Sequence, residues 1–203
     1  VWSQGVNMNY PFVLVIGGSG FIGKHVVAKL SDQGYRIIVA TRRFAHAKDA
    51  YVLPGVYSVV EADIHDDDAL NRLVAGMDAV INLVGVLHSK YGKPYDPSFT
   101  KNHVDLPRRI VAACAKNGVH RYLHMSALGA DVKASSMYLR SKADGEKAAF
   151  SNPAVKTTVF RPSVVFGEDD SFLNMFASMQ KYFPIIPMAG ANAKFQQIYV
   201  QDV

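Results

Sequence analysis

Tyr10-Pro11-Phe12-Val13-Leu14-Val15-Ile16 runs without a break into Gly17-Gly18-Ser19-Gly20-Phe21-Ile22-Gly23. An apolar run of this length, closed by glycines, reads as a strand buried on both faces. The periodic apolar residues after it, Phe21 to Asp32, read as an amphipathic helix. The glycine spacing has a chemical reason: Gly17 allows a sharp turn at the strand end, Gly20 allows backbone to approach a pyrophosphate, and Gly23 allows the helix to lie close to the strand. Phe21 and Ile22 open that helix, whose unpaired amides and positive dipole end face the same point. The stretch predicts a dinucleotide cradle, with an ordinary structural turn as the alternative.

Outward from this stretch, strand-like and helix-like segments alternate. The strands are Phe12 to Ile16, Arg36 to Thr41, Val56 to Glu61, Ala79 to Val84, Arg121 to Ser126 and Thr157 to Arg161. Helices are expected near Phe21 to Asp32, Phe44 to Ala50, Asp67 to Ala75, Pro97 to Lys116, Met137 to Phe150 and Ser171 to Tyr182. Such alternation is the signature of strand-helix-strand units. The fold class is therefore α/β, a Rossmann-type doubly wound parallel sheet with helices on both faces and strand order 3-2-1-4-5-6. Residues 8–182 make up the nucleotide-binding domain. Residues 183–203 begin with the proline-broken run Phe183-Pro184-Ile185-Ile186-Pro187 and read as the start of a C-terminal substrate lobe that is cut short at Val203.

Composition narrows the function classes. With 203 residues and 49% hydrophobic content, the chain can bury a substantial core. Its longest near-continuous apolar run, Ala79 to Leu87, falls well short of the roughly 18 residues that span a bilayer. No basic segment leads into an apolar core at the N-terminus, so no secretory signal is expected. Met8 is a candidate natural start, which leaves residues 1–7 as a leader or a remnant. The single cysteine, Cys114, sits in an apolar-periodic stretch and reads as a buried core thiol in a reducing, cytoplasmic setting. A net charge of +5 permits attraction to phosphates or to an anionic membrane surface. The basic residues are scattered rather than interleaved with aromatics, so nucleic acid is not an expected partner.

The end of the second strand reports on the cofactor, because an acid there bonds a ribose 2′-hydroxyl whereas arginine accommodates a 2′-phosphate. Here Thr41-Arg42-Arg43 offers guanidinium forks and no acid, which favours NADP(H), with NAD(H) as the alternative. Asp63 and Ile64, just past the third strand, are placed to meet the adenine edge; Asp63 serves equally well as a turn-former or helix cap. Asp66-Asp67-Asp68 precedes an apolar-periodic segment and reads as a cap rather than a metal site. His120 and His124 lie about 13 Å apart if extended, too far to share an ion, and no metal is expected.

Tyr138 and Lys142 fall on one face of a helix. An ammonium beside a phenol is expected to lower the phenol's pKa toward the range useful for proton transfer. Ser126, at the end of the fifth strand, brings a hydroxyl able to bond a substrate carbonyl or alcohol. Together they are expected to form a proton-transfer set for hydride chemistry, with Ser126 and Tyr138 as ordinary polar residues at element ends the alternative.

These residues resemble the short-chain dehydrogenase/reductase superfamily, in its atypical and extended NAD-dependent epimerase/dehydratase branch. The glycine loop Gly17 to Gly23 is similar to the family's cofactor loop, Asn82-Leu83-Val84-Gly85 to its fourth-strand motif, and Ser126, Tyr138 and Lys142 to its catalytic positions. The resemblance implies that Asn102 completes a catalytic tetrad by holding a relay water, that Val84 and Gly85 contact the cofactor, that Lys142 also binds ribose, and that Arg161 and Pro162 flank the nicotinamide. A closer similarity, carried by Tyr138 to Glu146 and Phe166 to Asn174, is to the dehydrogenase-like accessory subunit of respiratory complex I and its bacterial relatives. That group implies tight NADPH holding without established catalysis. The interval from Ser126 to Tyr138 is shorter than in sugar-nucleotide epimerases, which argues against a sugar-nucleotide substrate. Two expectations follow: an NAD(P)-dependent oxidoreductase acting on an unidentified small molecule, or a cofactor-holding structural or regulatory protein linked to respiratory complex I or quinone metabolism. The setting expected is cytoplasmic, with peripheral association at a respiratory complex or the inner face of a membrane as the variant the second reading implies.

Overall fold

The computed structural model describes residues 10–87, 90–167, 170 and 196–203. Six parallel strands, β1 (Phe12–Ile16), β2 (Arg36–Thr41), β3 (Val56–Glu61), β4 (Ala79–Asn82), β5 (Arg121–Met125) and β6 (Lys156–Phe160), form one sheet in the order 3-2-1-4-5-6. β1 pairs with both β2 and β4, Val15 lying opposite Val39 on one side and Ile81 on the other. The order reverses at this central strand, so the β1 and β4 carboxyl ends flank the crevice where such sheets hold ligands.

β1 is apolar throughout because both its faces are covered. Val13 and Val15 pack with Val27 of α1 (Phe21–Asp32), whereas Leu14 and Ile16 pack with Leu70 and Leu73 of α2 (Asp67–Val74) and with Ile110 of α4 (Leu106–Lys116). Burying each of these aliphatic side chains contributes about 1.5–3 kcal/mol. Cys114 sits in the same core, where burial pushes its thiol up to about 12.

Several boundaries differ from expectation for local reasons. β4 ends at Asn82, not Val84, because the Asn82 side-chain oxygen takes the Val84 N–H at 3.1 Å and stops the ladder. β5 ends at Met125 and β6 is shifted back by one residue, to Lys156–Phe160. The segment after β2 is 3₁₀ over Phe44–Val52, interrupted at Ala47 (φ −115°, ψ 15°). The helix expected over Ser171 to Tyr182 lies outside the described residues, as does the proline-broken run after it.

The expected continuous helix from Pro97 to Lys116 is in fact three pieces: α3 (Pro97–Phe99), a π-helical turn over Thr100–Asp105, and α4. Pro107 explains the break. It has no N–H for the carbonyl four residues back, that of His103, and its ring would crowd that carbonyl. The ladder therefore widens, with Leu106 N–H bonding Lys101 O in the i to i−5 pattern. The displaced His103 carbonyl presses against α5 (Met137–Ala149) at Gly145, where any Cβ would overlap its oxygen and lie 3.2 Å from its carbon. Glycine is required there by this approach, not by a turn.

Past β6 the chain forms a separate parallel pair, β7 (Val164–Phe166) with β8 (Gln197–Tyr199). Among the described residues no helix is long and apolar enough to cross a membrane.

Candidate nucleotide-binding and proton-transfer site

The glycine turn has the geometry its spacing requires. Gly17 adopts φ +85°, and its carbonyl accepts the Gly20 N–H at 3.0 Å. A Cβ on Gly23 would overlap Gly17 O and lie 2.7 Å from Gly18 Cα, so α1 can sit this close only without a side chain there. A Cβ on Gly17 would stand 3.2 Å from Leu83 C and Val84 N, which places the exit of β4 directly against the turn. Gly20 supplies no side-chain cap to α1, and the first turn, including Phe21 and Ile22, carries no acid. The helix start thus keeps its backbone donors and positive dipole end for an anion. A cradle closed to any Cβ, with an acid-free helix start above it, fits a dinucleotide pyrophosphate.

Around the cradle, Arg42 and Arg43 are exposed beyond β2, and Thr41 Oγ1 shapes their turn by donating to Arg43 O at 3.0 Å. The expectation of no acid here holds for the strand end itself but misses Glu61, opposite Thr41 in the sheet, whose Oε2 accepts Phe44 N–H at 2.8 Å. Exposed Asp63 accepts His65 N–H at 2.9 Å, the turn-forming alternative, beside buried Ile64. Asp66 caps α2 through Ala69 N–H at 2.7 Å. Val84 is half-buried at the β4 exit, and Gly85 is exposed with open space around it.

At the β5 exit, Ser126 is buried with no hydrogen-bond partner for Oγ. Lys142, 2% exposed, donates from Nζ to Met125 O at 2.6 Å, one residue from that serine. Burial lowers its pKa to about 8, opposed by the Glu146 carboxylate. Tyr138 meets the His103 ring edge-on at 5.5 Å and that of Phe99 at 6.1 Å. Burial raises the Tyr138 pKa above its ordinary value, and this corrects the expectation of a phenol lowered by Lys142: desolvation governs the phenol, and the ammonium is engaged at Met125. Asn102 donates its side-chain amide one turn back, to Ser98 O at 2.8 Å. Arg161 holds Glu146 of α5 in a two-pronged ion pair, one arm at 2.8 Å, and the Pro162 carbonyl accepts Leu128 N–H at 2.8 Å.

Sequence reading misses several residues that organise this site. Asn82, Tyr122 and His124 form a buried chain: Asn82 Nδ2 donates to Tyr122 Oη at 3.2 Å, and Tyr122 Oη lies 3.0 Å from His124 Nδ1. The buried Oη proton has no acceptor among the described residues but Nδ1, which Asn82 Nδ2 also approaches at 3.5 Å, so Nδ1 is read as the acceptor and the His124 proton as carried on an Nε2 without a partner. Arg140, between Tyr138 and Lys142, donates to Ala134 O, Ser135 O and Pro94 O, each at 2.7 Å, tying the loops after β4 and β5 together. Tyr95 donates to Asp144 Oδ2 at 3.0 Å and fastens the first loop again. Their partners are up to 49 positions away, so no local pattern announces them.

The pattern of the NAD dependent epimerase/dehydratase family matches residues 13–203. The chain belongs to that family. Members similar to it include subunit 9 of the NADH dehydrogenase [ubiquinone] 1 alpha subcomplex, mitochondrial, of Mus musculus, 35% identical over 93% of this chain and 50% of the relative. A ceramide reductase of Caulobacter vibrioides is 26% identical over 94% of this chain and 57% of its own length. The chain thus spans about half the length of the curated relatives it matches. Among solved structures, Pen from Bacillus thuringiensis superposes with a TM-score of 0.80 at 17% identity, covering 95% of this chain and 63% of that one. MoeE5, solved with UDP-glucuronic acid and NAD, gives 0.76 at 20% identity, covering 94% and 68%. These structural likenesses support the family's Rossmann-type fold for this chain.

Proposed function

We propose that this chain is the nucleotide-binding part of an NAD(P)-dependent oxidoreductase of the short-chain dehydrogenase type. The carrying observation is the β5 exit, where a buried serine hydroxyl without a partner adjoins a buried lysine. Leaving a buried polar group unsatisfied costs about 1–3 kcal/mol, a cost that a ligand reaching Ser126 Oγ would remove. A nicotinamide dinucleotide supplies the hydride chemistry when bound. Gly17, Gly20, Phe21, Ile22 and Gly23 would hold its pyrophosphate, with Asp63, Ile64, Val84, Gly85, Arg161 and Pro162 along its length. Ser126 would orient a substrate oxygen, Tyr138 would pass the proton at that oxygen, and Lys142 would bind ribose and, once drawn from Met125 O, bring its charge to the phenol. Asn102 would support the relay.

Arg42 and Arg43 support NADP(H) over NAD(H), since their guanidinium forks would match a 2′-phosphate bidentately. Glu61, whose carboxylate accepts Phe44 N–H opposite Thr41, keeps its charge and is the group that opposes this preference.

The complex I relatives favour a second reading, a nucleotide-holding protein associated with a respiratory complex at a membrane surface. Tyr138→Phe separates the two. An oxidoreductase loses nearly all turnover while keeping cofactor affinity; a holder retains tightly bound nucleotide through purification and has no turnover to lose. Native mass spectrometry of the freshly purified protein identifies the nucleotide, and recovery without any, together with no binding on titration, would sink both readings.

A further inference from the structure

His103 is 1% exposed and makes two directional bonds, neither accounted for by the catalytic set above. Its Nε2 lies 3.0 Å from the backbone N of Val86, and its Nδ1 lies 2.8 Å from Ser141 Oγ. A backbone amide can only donate, so Nε2 is the acceptor and carries no proton. In a neutral ring the proton is then on Nδ1, which donates to Ser141 Oγ; that hydroxyl donates onward to the Tyr138 carbonyl at 2.7 Å. Every donor and acceptor in this line is used once, in one direction. Burial and the charge of Lys142 lower the His103 pKa to about 3, so the ring is neutral at physiological pH.

The line connects two parts of the site. Val86 belongs to the β4 exit, whose Leu83 and Val84 backbone borders Gly17 of the cradle. Ser141 and Tyr138 belong to α5, and the His103 ring also meets the Tyr138 ring edge-on. The Pro107-induced widening of the helix and the absence of a side chain at Gly145 let the turn carrying His103 lie this close to α5.

We infer that His103 is a positioning residue, held as its Nδ1–H tautomer, that sets the distance between the cofactor-facing β4 exit and Tyr138. This rests on the dinucleotide reading of the cradle. It acts through Val86 on one side and through Ser141 and the Tyr138 ring on the other.

Long-range ¹H–¹⁵N correlation on the uniformly labelled, ligand-free chain reads the tautomer directly. The expected pattern is a protonated Nδ1 and an unprotonated Nε2 for His103 at pH 7, opposite to that of His124; a protonated Nε2, or an imidazolium, would overturn the inference. Calorimetric titration with NAD+ and with NADPH tests the consequence. Glutamine places its amide near the Nε2 position and can still accept from Val86, whereas asparagine reaches only the Ser141 side. H103Q should rescue affinity to within threefold of the parent, and H103N should bind about tenfold more weakly, about 1.4 kcal/mol. Equal loss in both variants would mean a merely structural role, and parental affinity in H103N would mean none. If the parent binds neither nucleotide, the dinucleotide reading itself falls, and this role with it, whichever tautomer is found.

Discussion

Lowering the pH from 6.5 to 5 should destabilise this protein through its two buried histidines. His103 and His124 are each 1% exposed, and burial, aided by the nearby charge of Lys142, lowers both pKa values to about 3. His124 also faces His103, so protonating either one disfavours the other. In the unfolded chain both return to about 6.5. Between these values the unfolded state binds more protons than the folded state, so stability rises with pH across the window and is lost as pH falls from about 6.5 toward 3. Over pH 6.5 to 5 each histidine removes about 1.6 kcal/mol, about 3 kcal/mol for the pair, a large part of an ordinary domain's stability. Urea unfolding at pH 6.5, 6.0, 5.5 and 5.0, on the parent and on a His103→Gln/His124→Gln variant, isolates the effect. The variant starts less stable, so the pH slopes are compared rather than the absolute values. The variant should lose about 3 kcal/mol less than the parent across the window. Parallel slopes would refute the reasoning, because the remaining loss would then come from carboxylates common to both.

Gly23→Ala should abolish dinucleotide binding, since the added methyl overlaps Gly17 O and crowds Gly18; calorimetry showing parental affinity would remove the cradle assignment. Arg42→Ala and Arg43→Ala should each reduce NADPH affinity severalfold and leave NADH affinity nearly unchanged, and equal effects on the two nucleotides in competitive titration would count against a 2′-phosphate contact. Leu14→Ala, in the core between β1, α2 and α4, should cost about 2–5 kcal/mol in chemical denaturation without altering which nucleotide binds. Arg140→Met should free the loops after β4 and β5 from α5, seen as faster amide exchange around Pro94 and Ser135 while β1 exchange is unchanged; unaltered loop exchange would show that the three carbonyl bonds do not hold them.

Much of the fold can be read along the chain because its signals are local. β1, β2, β3 and α1 have the boundaries the sequence predicts, since each rests on a local apolar or periodic pattern, closed by glycine in β1 and just past the end of α1. The sheet order follows from the succession of strand-helix-strand units, whose crossovers have one preferred hand. Elements whose ends depend on a side chain are harder to read. Asn82 stops β4 through its own amide, and Pro107 widens a helix that periodicity alone would leave whole.

By itself, the sequence determined the strand, glycine turn and helix unit: glycines at 17, 20 and 23 after an apolar run permit the tight turn and the close helix contact that the structure shows, and the Gly17–Gly23 contact lies within seven residues. It also singled out Ser126, Tyr138 and Lys142. What only the tertiary structure decided is their electrostatic state. The same helical spacing that puts Tyr138 near Lys142 says nothing of the medium around them, and that medium raises the phenol, lowers the lysine and holds two histidines neutral. Desolvation depends on which distant segments close over a group, and hydrogen-bond direction depends on partners such as Val86 and Ser141, 17 and 38 residues from His103. No pattern of neighbours in the chain carries that information.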